Sequence, residues 1–270
     1  MSLLDGIIGC WSPSVTGAGY TLPDLVGGNH GTLLNMDASD WTGVSLRGVS
    51  GKVLDFDGVD DVVACTAPSR RLLMETGTTP WTVSMWVNKR GVPSSYGSLV
   101  GSWKATSVNG WVINIRTDGT LGFGTLSVGG SGGMYARTSA TLANGWQHLM
   151  VVYYGFRDAA RGNVSGQVFI NGAQVAVSQV AGGIIGALTS PQFSIGGSYD
   201  ASLSNDVQIG EVAVFYGNKT SVDSRQIYTA GNGALSRALS QSRRRVYSIT
   251  GPAFRAAWAT RATTIAGVLR

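Results

Sequence analysis

Asn-Gly and Asp-Gly pairs punctuate this chain, among them Asp57-Gly58, Asn109-Gly110, Asp118-Gly119, Asn144-Gly145 and Asn171-Gly172. Both residues of such a pair tolerate the positive φ that a tight hairpin demands, so each pair marks a reversal between strands. Runs rich in β-branched and aromatic residues lie around them: Trp81–Val87, Trp111–Arg116, Leu149–Tyr154, Gln167–Ile170 and Val207–Tyr216. In the first run Trp81, Val83, Met85 and Val87 alternate on one face. Trp81 and Trp86 differ by an odd number and are therefore expected on opposite faces. Many short antiparallel strands of this kind build a sandwich or a barrel. The 39 glycines among 270 residues, with only 13% charged residues, suit strands joined by tight turns. Helical periodicity is nearly absent before residue 221. One short helix is expected over 221–230, capped by Thr220 or Ser221, with Asp223 in its first turn and Gly231 at its end.

Charge divides the chain differently. No acidic residue follows Asp223, while Arg237, Arg243, Arg244, Arg245, Arg255, Arg261 and Arg270 crowd the last 35 residues. Residues 1–235 hold 13 Lys+Arg against 15 Asp+Glu, so a body of charge −2 carries an extension of +7. The chain is accordingly read as a body over 1–235 and a basic tail over 236–270 that favours a partner. Within the tail, Phe254, Trp258 and Ile265 fall near helical spacing, which gives a weakly amphipathic stretch at 254–269. No apolar run reaches the roughly 20 residues that span a bilayer. The first residues lack a basic segment and a long apolar core, so a secretory signal is not expected. Cys10 and Cys65 are too few for a disulfide framework, and buried thiols and a single bridge both remain open.

The residues that carry catalysis are scarce. Of the two histidines, His148 sits in an apolar strand and His30 in a Gly-rich turn, and both read as structural. Glu75 and Glu211 are the only glutamates. Glycoside hydrolysis needs two carboxylates flanking one bond, and no close array of acidic residues on a strand supplies them. No P-loop, nucleophile elbow or Cys/His metal spacing occurs, and the glycines of 122–133 lack the helix a phosphate loop requires. An enzyme is not expected.

Seven segments in order bear a family resemblance. They are PDLVGGNHGTLLN (23–35), VLDFDGVDDVV (53–63), PWTVSMWV (80–87), GWQHLMVVY (145–153), GQVFINGAQV (166–175), FSIGGS (193–198) and VQIGEVAVF (207–215). Together, across about residues 5–235, they resemble a laminin-G-like, concanavalin A-like jelly roll. That resemblance implies an all-β fold of two antiparallel sheets, followed here by a short, basic, partly helical extension. It also implies a structural Ca²⁺, with Asp24, Asn29, Asp57 and Asp60 as candidate ligands, because this ion takes hard oxygen donors. Gly210 departs from the pattern where many relatives carry an acidic residue. Glycan binding is the other role implied, and Tyr96, Trp103, Trp111 and Tyr135 lie in or beside loops where a sugar could stack.

The segment AWATRATTIAGV near the end is similar to endings of phage structural proteins. The expectation is a non-enzymatic virion component of decoration or fibre type, fixed to capsid or tail proteins or to sister subunits. Arg243, Arg244, Arg245, Phe254, Arg255, Trp258 and Arg261 are its candidate assembly residues. Homo-oligomers are expected, and neither membrane insertion nor a nucleic-acid partner is. The competing reading is a carbohydrate-binding adhesion module for a cell-surface glycan, working outside the cell or at its surface.

Overall fold

The computed structural model describes residues 2–16, 19–46, 49–65, 68, 72, 74, 77–103, 109–127, 132–158, 164–183, 192–198 and 204–249. The first quarter of the chain forms β1 (Ile7–Trp11), the single turn α1 (Pro13–Thr16), β2 (Thr21–Leu22), β3 (Gly31–Leu34), β4 (Trp41–Leu46), β5 (Val49–Asp57) and β6 (Val62–Cys65). The middle forms β7 (Trp81–Lys89), β8 (Gly97–Gly101), β9 (Gly110–Ile115), β10 (Thr120–Leu126), β11 (Met134–Thr141) and β12 (Gly145–Asp158). Then come β13 (Val164–Ile170), β14 (Ala173–Val175), β15 (Val177–Gly182), β16 (Phe193–Ile195) and β17 (Asp206–Tyr216). Helices α2 (Ser221–Ala230) and α3 (Ala234–Ile249) follow.

The strands make two antiparallel sheets. One has eight strands in the order β14-β13-β12-β7-β17-β5-β4, with β1 added on β17, and the other nine in the order β15-β11-β10-β9-β8-β16-β6-β3-β2. The expected two-sheet jelly roll is therefore the fold. The turn chemistry is narrower than the sequence suggests: among the Asx-Gly pairs only Asn171-Gly172 has positive φ at both residues, 53° and 79°. This pair joins β13 to β14 as a two-residue hairpin of the primed type.

Between the sheets runs a continuous line of rings. Trp11 stacks on Phe193 at 5.0 Å, Phe193 meets Trp111 at 5.8 Å, Trp111 meets Trp81 at 4.9 Å, and Trp81 stacks on Tyr153 at 5.1 Å. Each ring pair adds about 0.5–1.5 kcal/mol beyond the burial of its area. The polar handles find carbonyls: Trp11 Nε1 donates to Asn29, Trp111 Nε1 to Leu72 and the Tyr153 hydroxyl to Gly77. Trp86 points the other way, as its parity requires, and packs under Tyr228 of α2 at 5.8 Å. Cys10 and Cys65 are both free and buried. Cys10 belongs to the outer cluster of the eight-stranded sheet and Cys65 to the core between the sheets.

The end of the body departs from expectation. Helix α2 spans the expected residues, with Thr220 as N-cap and Asp223 closing a capping box. The next segment, read as the polar and basic start of a partly helical tail with its helical stretch at 254–269, is helical from Ala234 to Ile249. Leu235 is buried and Leu239 packs on the same cluster as Ile227 and Phe215. Leu235 and Leu239 are four apart and share a helix face, so this docking carries its own sequence signal. A boundary at 235/236 falls inside the first turn of α3. Of the candidate assembly residues, Arg243, Arg244 and Arg245 lie on the backbone of α3, whereas Phe254, Arg255, Trp258 and Arg261, with the whole 254–269 stretch, lie outside the described residues.

Candidate functional site

The outer face of the nine-stranded sheet gathers three of the four candidate glycan residues, Tyr96, Trp103 and Tyr135. On β9, Trp111, Ile113 and Ile115 point into the core, so Val112, Asn114 and Arg116 point outward. On β11 the outward residues are Tyr135 and Arg137. Gly122 of β10 lies between the strands, paired with Asn114 on one side and Arg137 on the other. A Cβ at Gly122 would overlap the Tyr135 hydroxyl. Its absence lets Tyr135 reach across and donate to Asn114 Oδ1 at 2.6 Å.

Arg116 organises this face. Its guanidinium lies 5.0 Å from the Tyr96 ring centroid and 5.8 Å from that of Tyr135. Its Nε is 3.8 Å from Asp118 Oδ1, too long for a hydrogen bond, and has no acceptor among the described residues. Arg137 Nη1 donates to the other oxygen of Asp118 at 2.5 Å. The Thr120 hydroxyl above all, helped by its amide and both arginines, holds the Asp118 carboxyl below the usual carboxylate range against a smaller effect of burial. Of the four candidate aromatics, Tyr96 alone is substantially exposed, at 40%. Tyr135 is buried beneath Arg116, and Trp103, in the same outer cluster, is nearly buried with Nε1 donated to Ser127 O at 3.0 Å. Trp111 is corrected: it is fully buried in the core and offers no face to a sugar, because odd positions of β9 point inward. Arg116, Asp118 and Arg137 were not foreseen. Their signal was the outward parity of β9 and β11, which becomes readable only once register is known.

The four candidate calcium ligands split into two places. The Asp24 carboxylate is buried and accepts five N–H bonds: from Cys10 and Val26 on Oδ1, and from Gly27, Asn29 and the Asn29 side chain on Oδ2. Its backbone N–H donates to His30 Nδ1 at 3.0 Å, which places the ring proton on Nε2. Asp24 and Asn29 are thus corrected from metal ligands to the core of a loop, since the carboxylate's lone pairs are already filled. Asp57 and Asp60 instead come together with Asp61, whose ligand oxygens all lie within 4.8 Å of one another. Burial, with Asp57, Asp40 and Asp60 nearby, pushes the Asp61 carboxyl up to about 6, although it accepts the Asp57 N–H. A crowded, hard oxygen set of this kind fits a divalent cation such as Ca²⁺.

Other titratable groups are committed elsewhere. His148 is buried, its imidazole is pushed down to about 3 by burial, and Nε2 bonds the Ser84 hydroxyl at 2.9 Å. Glu211 is buried on the opposite sheet face, where it accepts from Leu235 N, Ser236 N and the Ser236 hydroxyl. Among the described residues no helix is long and apolar enough to cross a membrane.

Two facing antiparallel sheets with an exposed polar and aromatic outer face define the lectin-type jelly roll. The chain belongs to the family described as Concanavalin A-like lectin/glucanases superfamily, which matches residues 57–223. No curated protein matches it. Among solved structures it is similar to the Trypanosoma rangeli sialidase in complex with sialic acid, at 14% identity and TM-score 0.55, covering 83% of this chain and 33% of that one. It is also similar to the binding domain of Paraclostridial Mosquitocidal Protein 1, at 15% identity and TM-score 0.56, covering 84% and 52%. A third is the binding domain of Botulinum Neurotoxin DC in complex with SialylT, at 15% identity and TM-score 0.54, covering 85% and 52%. The chain spans a third to about half the length of these proteins, and at such identities the likeness is one of fold.

Proposed function

We propose that this chain is a non-catalytic carbohydrate-binding module whose sugar platform is Tyr96. The observation that carries the reading is the exposed Tyr96 ring backed by the Arg116 guanidinium, beside the exposed side chains of the Asp118–Arg137 pair. The electron-rich face of an aromatic ring attracts the C–H face of a pyranose, and the cation behind it fixes the ring before the sugar arrives. Asp118 and Arg137, their side chains exposed beside the platform, then supply hydrogen-bonding groups, and an acidic sugar oxygen is the fitting partner for the Arg137 guanidinium. Two of the fold neighbours are described in complex with sialic acid or SialylT, which supports this choice of ligand class. On a glycan array, wild type is expected to retain sialylated or otherwise acidic glycans, and Tyr96→Ala and Arg116→Ala to lose about tenfold in affinity for them. Uniformly blank arrays, or unchanged binding by both variants, would remove the reading.

A structural Ca²⁺ held by Asp57, Asp60 and Asp61 is proposed beside it. The ion would neutralise the clustered carboxylates that close the β5–β6 turn. Adding Ca²⁺ is expected to raise the melting temperature of wild type and not of Asp60→Asn; a chelator without effect on wild type sinks the site.

The basic end favours a second role alongside the first. Seven arginines follow residue 235 with no acidic residue among them, and the first turn of α3 is clamped to the body by Glu211. A stem fixed in this way suits attachment to a larger particle or to sister subunits, as in a phage decoration or fibre protein. The module would then work on a virion, or otherwise at an extracellular surface.

A further inference from the structure

A cleft on the other side of the molecule has no part in the Tyr96 site. It opens on the outer face of the eight-stranded sheet, where β12, β13 and β14 meet the start of α2, and holds about 350 Å³. Register explains its composition. Val152 pairs with Gln167, and Phe169 pairs with both Met150 and Gln174. The outward positions of three strands therefore bring Tyr154, Phe156, Phe169, Gln167 and Gln174 to one place. Gly155, with φ of +77°, approaches the Thr78 carbonyl too closely for any Cβ, and Phe156 follows it with its ring 6.0 Å from Tyr154. Phe156 is 55% exposed.

The walls are amides. Gln167, Gln174 and Asn218 line the cleft, and no side-chain hydrogen bond engages any of the three among the described residues. By contrast, Gln179 and Gln208 are both hydrogen-bonded within the protein. No carboxylate lines the cleft among the described residues. The one cation among the described lining residues, Lys219, is already spent, because Nζ donates to the Ser2 and Leu3 carbonyls and lies 4.7 Å from the Phe215 ring centroid.

We propose that this cleft binds an uncharged pyranose, as a second saccharide site distinct from the Tyr96 platform. The volume lies within the range of small-ligand pockets. Each free amide offers two donors and an acceptor, the complement of vicinal hydroxyls, while the aromatic floor takes the apolar face of the ring. An anionic sugar finds no free cation among the described residues of the cleft, and a wholly apolar ligand would strand three amides. With two sites on the two outer faces, one molecule bridges two glycans, and its avidity for a glycan-bearing surface exceeds either affinity.

The test uses the full chain on an array carrying glucose-, galactose-, mannose- and N-acetylglucosamine-terminated glycans together with sialylated ones. Calorimetry against the methyl glycoside of the best neutral sugar follows. Wild type is expected to bind at least one neutral glycan. Phe156→Ala and Gln174→Ala both remove exposed side chains and are expected to bind that glycan about tenfold more weakly, with Tyr96→Ala unchanged. If wild type binds no neutral glycan, or if Phe156→Ala and Gln174→Ala bind as tightly as wild type, the site is overturned. Loss in Tyr96→Ala with none in Phe156→Ala leaves the first platform standing alone, and the reverse pattern leaves this cleft alone.

Discussion

Asp24→Ala is expected to destabilise the protein by about 3–5 kcal/mol, the range for breaking a buried charged group away from its partners. Five N–H groups from Cys10, Val26, Gly27 and Asn29 converge on this one carboxylate, and alanine leaves them buried without an acceptor. Each such orphan costs on the order of 1–3 kcal/mol before the loop relaxes, so the net figure assumes that some donors recover water. For a domain of this size the corresponding fall in melting temperature is roughly 10 °C. Asp24→Asn recovers only part of the loss, because its NH₂ group must face donors where Oδ2 now accepts from Gly27 and Asn29. The measurement is thermal unfolding followed by circular dichroism, run with calcium and with a chelator. A loss that is the same in both buffers is expected. A loss that disappears when the chelator is present in both samples would return Asp24 to the metal.

This residue also marks the limit of what the sequence carries. The PDLVGGNHG segment is readable as a loop, and its acidic and amide residues invite a metal. Nothing in the linear order says that Cys10, fourteen residues earlier, donates its N–H to the same carboxylate. The sheets themselves are more legible. Alternation of Trp81, Val83, Met85 and Val87 survives intact because a strand's period is a local property, and so does the opposite orientation of Trp86. Exposure of aromatics is less legible, because it depends on which neighbour lies across the strand. Trp111 and Tyr135 look equally loop-adjacent in sequence, yet one fills the core and the other lies under Arg116. The cleft at Phe156 depends on register across three strands as well as on α2, and no single segment announces it. Helix α3 was missed for a different reason. The Leu235–Leu239 repeat is a short apolar signal among arginines and serines, and the buried partner that makes it productive, Glu211, lies on a distant strand.

That partnership makes the end of the body a sharp place to cut. A chain ending at residue 235 is expected to lose about 3–5 kcal/mol against the full protein, whereas one ending at 249 stays within about 1 kcal/mol. The longer form keeps the Leu235 and Ser236 amides and the Ser236 hydroxyl on the Glu211 carboxylate, and Leu239 on the outer cluster. The shorter one removes both Ser236 donors and places a new terminal carboxylate on Leu235, next to a buried acid. Burial already raises the Glu211 carboxyl, opposed by the Ser236 hydroxyl, the two amides and Arg237, so losing these contacts while adding a like charge is costly. Glu211→Gln in the shorter form is expected to recover part of the loss, since a neutral amide is cheaper to bury than an unpaired carboxylate. Denaturant unfolding of the four proteins measures all of this. A 1–235 chain as stable as the full protein would show α3 to be a passenger on the body. The 1–249 chain carries the second half of the argument: it retains a folded module and loses Arg255, Arg261 and Arg270. If the basic end is an attachment strap, this chain binds glycans normally and no longer assembles into particles or oligomers. Normal assembly by it would leave residues 250–270 without a role and confine attachment to Arg243, Arg244 and Arg245, which this chain keeps.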